Sequence, residues 1–392
     1  MVLTSRIQSF LKITRRVFSR CRAEVKGGLA FYASPPDSQY PYIYTRDLSI
    51  ALNLLSELSD YSSAKACCEA LISFQSGGWV QKYSAEGKRK DDIVQEDNTP
   101  LAVWAILSYV TASGDADYGR RVERLVTRAC DLVCGNLGKS GLVRSHTSIH
   151  ESEINNGYEL WNNSASARAL ELAGQVYGIE RHSRSAGLIK GAIATKLVRN
   201  GKLIRRVRMN GTPDLMPDVM LLAPFYFGIM GDRRLLKNAL EAVERLRDPM
   251  GGYHRYPPES RQKGIVTLFP GPWVFYTAWV AQMYFALGMR ARAEDNLDWI
   301  FRMMTPQGLP EHVISSETFF RCKAEQLRRL KRLEAVRELK EYVAAGYTGI
   351  DRMELIAAKG RIVPYSVPTL WSHVETLRAL KAGGYIKRFK AF

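Results

Sequence analysis

The sequence predicts an all-α protein built as an (α/α)6 toroid, a ring of six helical hairpins, and three observations carry that expectation. Apolar residues recur at helical spacing in segments that arrive in pairs along the 392 residues. The turns within pairs are short and marked by Gly or Asp, whereas the stretches between pairs are long, polar and rich in aromatics. Alternating Val-, Ile- and Thr-rich runs, the mark of half-buried strands, are scarce.

Residues 3–26 read as the first helix, with Ile7, Phe10, Leu11, Ile13, Val17 and Phe18 apolar among Arg6, Lys12, Arg15, Arg16 and Arg20. Such a stripe suits an outer helix turned to a core; the same pattern also describes a helix lying on a membrane surface. Five pairs follow: 47–59 with 62–75, 98–112 with 117–135, 163–178 with 182–198, 218–230 with 232–247, and 273–287 with 291–304. The last segment, 370–382, is left to pair with the first helix. Short turns such as Ser59-Asp60, Ser113-Gly114 and Gly231-Asp232 close the hairpins. No fixed-period self-similarity marks a solenoid, and no Pro/Gly/Ser-rich linker divides the chain. The expectation is one domain over residues 1–392, with a basic helical insertion at about 313–360 in which Leu327, Leu330 and Leu333 alternate with Arg328, Arg329, Lys331 and Arg332.

The long stretches 33–46, 77–97, 138–162, 201–217, 249–272 and 306–369 each precede the first helix of a pair. Hairpins that carry all their long loops at one end form a funnel there, and loops on a rigid scaffold are where chemistry gathers.

Charge and composition narrow the partners. Lys and Arg total 56 against 39 Asp and Glu, a net charge of +17. A diffuse basic surface accounts for this, no nucleic-acid motif stands beside it, and a peripheral contact with an acidic membrane is compatible with it. No apolar stretch reaches the ~20 residues of a membrane span. Cys21, Cys67, Cys68, Cys130, Cys134 and Cys322 form neither CxxC pairs nor a regular framework, so neither a zinc site nor a disulfide scaffold is expected. No secretory leader is evident, and a reduced, cytoplasmic setting is the expectation.

Three loops place charge beside aromatics at helix entrances: Ser148-Ile149-His150-Glu151-Ser152-Glu153, Gly251-Gly252-Tyr253-His254-Arg255-Tyr256-Pro257 and Gly308-Leu309-Pro310-Glu311-His312. That combination suits sugars, whose rings stack on aromatic faces while their hydroxyls take paired hydrogen bonds from Arg and carboxylates.

From about residue 27 to residue 382 these motifs fall in an order that resembles glycoside hydrolase family 15, the glucoamylases, glucodextranases and some microbial trehalases. Tyr40 to Asp47 resembles the family's Tyr-rich run ending in Trp-x-Arg-Asp, with Tyr44 in place of the Trp, and Gln95-Glu96-Asp97 resembles its Gln-x-Asp helix entrance. Pro217 to Leu222, Gly251 to Pro257, Gly271-Pro272-Trp273 and Pro368 to Glu375 are similar to four further family segments.

The resemblance implies an inverting, exo-acting hydrolase of terminal α-linked glucose, with Glu311 as general base and Glu151 as general acid and no cofactor or metal. Inversion demands carboxyls about 6.5–9.5 Å apart. Placing the acid by Trp161 would put Asn162 in its position, only eight residues before Leu170; Glu151 leaves nineteen, similar to prokaryotic members. Substrate contacts are implied for Tyr40, Arg46, Asp47, Asp97, Arg255, Trp273, Trp371 and His373. Asp97 and Asp218 have a second role open to them, as helix N-caps. His150, Glu153 and Pro258-Glu259 depart from the family pattern and put the substrate in doubt. Two other functions fit the same barrel: a non-catalytic glycan- or partner-binding relative, and a phosphorylase using phosphate as nucleophile.

Overall fold

A computed structural model describes residues 2–75, 77–90, 95–147, 149, 157–257, 271–315 and 362–392. Helix α1 (Val2–Cys21) buries Ile7, Phe10, Val17, Phe18 and Cys21 and leaves its Lys and Arg side chains on the outside, so its stripe faces the protein. It ends earlier than the sequence suggests. Arg22, Ala23, Glu24 and Val25 alternate out and in as strand β1, which turns at Gly27 (φ +88°) and pairs with β2 (Gly28–Phe31). A period of two over four residues is too short to stand out against the preceding helical pattern.

The hairpins then follow in order: α2 (Thr45–Glu57) and α3 (Tyr61–Phe74), α4 (Asn98–Ser113) and α5 (Ala116–Gly135), α6 (Leu160–Tyr177) and α7 (Glu180–Lys196). After them come α8 (Ala223–Tyr226) and α9 (Arg233–Val243), α10 (Val274–Ala286) and α11 (Arg290–Arg302), and finally α12 (Leu370–Ala382). The turns work as capping chemistry requires. Asp60, Asp115 and Asp232 accept hydrogen bonds from the first free amides of α3, α5 and α9, and Gly114 and Gly178 end α4 and α6 in the left-handed conformation.

The expected helix 218–230 is much shorter than its apolar run. Pro224 has no N–H to offer Met220, whose carbonyl is bonded instead by Ala223, so a 3-10 turn (Val219–Leu222) precedes the single turn of α8. Gly228, at φ +65°, ends it.

The helices of each pair differ in character. α2, α4, α6, α10 and α12 are buried on nearly every side, whereas α5 and α9 bury one stripe. α2 packs on α4, α4 on α6, α6 on the Val219–Leu222 turn and α8, these on α10, α10 on α12, and α12 on α2. The second helices of the pairs lie against these, and α1 packs on α11 and α12. The architecture is helix on helix, an α/α arrangement.

Eleven short strands decorate the connections among the described residues, none longer than four residues. β3 (Ile43–Tyr44) pairs with β4 (Lys82–Tyr83); β5 (Gly157–Glu159), β8 (Arg206–Arg208) and β9 (Pro213–Asp214) form one small sheet, and β6 (Val198–Arg199) pairs with β7 (Lys202–Leu203). β10 (His312–Ser315) pairs with β11 (Ile362–Tyr365). The start of the expected insertion, 313–315, is therefore strand; its basic stretch lies outside the described residues. Within the described residues no helix is long and apolar enough to cross a membrane, and the five cysteines are unpaired thiols.

Candidate active site

Glu311 sits where three connections meet. Its amide donates to the carbonyls of Tyr365 and Ser366, and its carbonyl accepts from Val274 at the start of α10, so the backbone on either side of its side chain is fixed. The carboxylate is 14% exposed, and its Oε2 accepts a hydrogen bond of 3.0 Å from the Tyr40 hydroxyl. Burial, reinforced by that neighbouring negative charge, pushes the Tyr40 phenol well above its ordinary range, so Tyr40 is a donor throughout the working pH range.

His312, fully buried, places Nδ1 3.8 Å from the same Oε2 and lies against two rings, Trp273 at 4.9 Å and Tyr365 at 4.5 Å between centroids. The Arg255 guanidinium lies over Trp273 and Tyr256 and donates to the carbonyl of Ile149. Asp248 accepts from the Met250 amide and is bonded to His254 Nε2 at 2.7 Å, which fixes the loop carrying Arg255.

Arg46 occupies the first turn of α2. Its Nε and Nη2 donate to the two oxygens of Asp97 at 2.9 and 3.2 Å, and Nη2 also reaches Gln95 Oε1 at 2.8 Å. Asp97 is fully buried and takes a further hydrogen bond of 2.8 Å from the Trp161 indole. Its side chain does not cap α4, so the cap role fails for Asp97. For Asp218 the cap role holds: Oδ1 accepts from Met220 N at 2.8 Å, while Oδ2 meets Arg205 at 3.3 Å. Asp47 is half-buried in the first turn of α2.

Aromatic contacts join these groups. Trp161 stacks on Trp279 at 5.3 Å, Trp279 meets Phe275 at 6.3 Å, and Phe275 lies between Trp273 at 5.4 Å and Trp371 at 4.2 Å. One face of Trp371 is covered by Phe275, nearly parallel to it, and its indole donates to Glu375. Below it Glu375, Arg378, Tyr226 and Gln282 form a buried hydrogen-bonded cluster. The sequence singled out neither Phe275 nor Trp279, gave Trp161 a place only as a rejected marker for the acid, and named His312 without a role; inner helices apolar on every side give no sign of which rings line a site.

His373 is a correction. It is fully buried, and both ring nitrogens are in use: Nε2 accepts from the Leu309 amide at 2.8 Å, so the proton sits on Nδ1, which bonds Thr14 Oγ1 at 2.8 Å. Burial lowers its pKa to about 3. It is a neutral tie between α1, α12 and the loop leading to Glu311, with no atom left for a substrate.

Glu151 lies outside the described residues; on either side of it in the sequence, described residues are held in place. The Glu96 carboxylate accepts from the His146 and Thr147 amides at 2.9 Å each, the Ile149 carbonyl accepts from Arg255, and Gly157–Glu159 pairs with β8. The described residues contain no cluster of His, Cys, Asp and Glu able to hold a metal ion.

Comparison with solved structures places this architecture. A glycosidase, solved as the wild-type protein and as a Glu→Ala variant in complex with glucose, matches with a TM-score of 0.73 at 18% identity, over 98% of this chain and 99% of that one. The GH78 family rhamnosidase of Bacillus sp. GL1 matches at TM-score 0.55 and 13% identity, over 76% of this chain and 30% of its own. A D-mannose isomerase matches at TM-score 0.50 and 14% identity, over 76% and 85%. No family model and no curated protein matches the sequence. The shared property is the fold, and since glycosidases and an isomerase both carry it, the reaction must be argued from the site.

Proposed function

We propose that this chain is a glycoside hydrolase of the family 15 type, inverting and exo-acting, which releases terminal α-linked glucose from an oligosaccharide or disaccharide. Glu311 is the general base and Glu151 the general acid. The observation that carries this is the Glu311 carboxylate, mostly buried yet open at one side, held by Tyr40 and backed by His312 and Trp273. A base that must aim a water at an anomeric carbon needs that combination of fixed direction and an open face.

Support for Glu151 comes from Arg255, which ties Ile149, two residues before it, to the ring of Trp273 beside His312. The succession of contacts from α2 round to α12 supports closure of the hairpins as an (α/α)6 toroid forming one domain, with the loops at its entrance making a funnel for one sugar end. Arg46, Asp47 and Arg255 then face the hydroxyls of the terminal ring. Because Arg46 is already bonded to Asp97 and Gln95, it acts on the sugar through groups it positions as much as through its own donors. We assign the protein to the cytoplasm.

The test is incubation with maltose, isomalto-oligosaccharides and trehalose, with and without phosphate, following the anomer first released. Without phosphate the glucose whose bond is cleaved is expected as the β-anomer, accompanied in the case of trehalose by one α-glucose as leaving group, and Glu311→Gln and Glu151→Gln each reduce the rate by roughly 10²–10⁴-fold. A phosphate requirement, release of the attacked glucose (the non-reducing end of an isomalto-oligosaccharide) as the α-anomer, or sugar binding without turnover overturns the assignment.

A further inference from the structure

We infer that the outward face of α1, together with the β1–β2 ribbon and residues 387–392, is a docking surface for anionic phospholipid. This is independent of the glycosidase assignment. α1 contains no acidic residue, and Lys12, Arg15, Arg16 and Arg20 form an exposed stripe at i, i+3, i+4 and i+8 along it. The chain continues the stripe with exposed Arg22 and Lys26 on the ribbon.

Residues 387–392 pack along the margin of that face by aromatic contacts. Phe389 is buried against Phe18 at 5.7 Å under the guanidinium of Arg15, and Phe392 stacks on Phe31 at 6.2 Å beneath that of Arg22. Those anchors carry Lys387, Arg388 and Lys390 to the stripe, all three exposed. Nine cations therefore share one surface. The acids paired with them are Glu24, bonded to Arg22 at 3.0 Å, and Asp37, bonded to Arg20 at 3.1 Å.

Charge complementarity selects the partner. Single-stranded nucleic acid takes a basic groove with rings offered for stacking, but here Phe18, Phe31 and Phe389 are buried, and Phe392 is sandwiched by Phe31 and Arg22. What remains outside is cationic charge on a helix and its neighbours, with the 47% exposed ring of Phe392 at its edge, which suits a planar anionic interface. Since the apolar stripe of α1 is already used in the core and one ring, Phe392, is exposed beside the cations, attachment is chiefly by charge: peripheral, reversible and released by salt.

Co-flotation of the full chain with vesicles tests this. Phosphatidylcholine vesicles containing about 30% phosphatidylglycerol are expected to carry the protein at about 0.1 M salt and to release it at about 0.5 M, and pure phosphatidylcholine to carry none. K12Q/R15Q/R16Q/R20Q and, separately, K387Q/R388Q/K390Q are expected to weaken binding at least tenfold with unchanged helical circular dichroism. R120Q/R124Q/R128Q, on the exposed face of α5, is expected to leave it unchanged. The inference fails if the anionic vesicles bind no protein, if the α5 variant loses as much as the other two, or if a single-stranded RNA oligomer binds through these residues while vesicles do not.

Discussion

Tyr40 and Glu311, 271 positions apart, meet through a 3.0 Å hydrogen bond from the phenol to Oε2. The donor is neutral and the acceptor charged, the kind of hydrogen bond worth about 1.5–3 kcal/mol. Tyr40→Phe keeps the ring and its edge contact with Tyr44 but frees the carboxylate to rotate. On the proposed mechanism kcat falls by roughly 10–100-fold with little change in KM, as a misaimed base requires. Steady-state kinetics on maltose against Tyr40→Phe measures the split; an unchanged kcat would remove Tyr40 from the machinery.

Arg46 and Asp97 make a buried pair, at 5% and 0% exposure, and removing one partner strands the other. Arg46→Met leaves Asp97 with only neutral donors, the Trp161 indole among them, and is expected to cost about 3–5 kcal/mol, visible in urea denaturation midpoints. Combining it with Asp97→Asn removes the stranded charge, so the double variant is expected to be more stable than Arg46→Met alone. A double variant less stable than either single one contradicts this account of the pair.

His373 gives the fold an acid-side weakness. Its folded pKa, lowered by burial to about 3, lies below the ordinary 6.5 of the unfolded chain, so unfolding takes up a proton. The stabilisation is complete above about pH 6.5 and is lost as pH falls toward 3, at up to ~1.4 kcal/mol per pH unit. His373→Ala strands the Leu309 amide and the Thr14 hydroxyl, lowering stability at neutral pH while flattening its dependence between those limits. Melting curves of both proteins from pH 7 to pH 4, taken on a single buffer series, compare the slopes; equal slopes would mean another group sets the acid limit.

Most helices were legible because their patterns are strong. α2 to α7 and α10 to α12 fall within three residues of the periodic segments, and their Asp and Gly turns cap as the local chemistry requires. The failures have separate causes. Pro224 interrupts an apolar run that otherwise reads as helix, and the strand Arg22–Val25 is too short to show its own period. Glu311 was singled out by its loop and by the family resemblance, but the bonds that define its surroundings join distant positions. His373 read as a ligand because it is polar within a signature segment, while its partner Thr14 lies 359 residues away on α1. Arg46 and Asp97 were both singled out, yet no local pattern says that they bind each other before any sugar.

Gly271 is where backbone shape bears most directly on the surroundings of Glu311. Its φ of +109° lies in a region side chains rarely adopt, and a Cβ there would stand 2.0 Å from the Val313 carbonyl oxygen. That contact is backbone against backbone, so no rotamer change relieves it. The Pro272 carbonyl that follows accepts from Val313 N at 3.0 Å, and Val274 N donates to the Glu311 carbonyl at 2.9 Å. Gly271→Ala must therefore push the Pro272–Val274 segment away from residues 311–313, moving Trp273 off His312 and loosening the backbone beneath Glu311. The expected result is a loss of stability of about 2–4 kcal/mol together with a fall in kcat beyond what the folded fraction explains. Activity normalised to the folded population, measured well below the melting temperature, separates the two effects; full activity per folded molecule would show that the Glu311 carboxylate is fixed from the Tyr40 side alone.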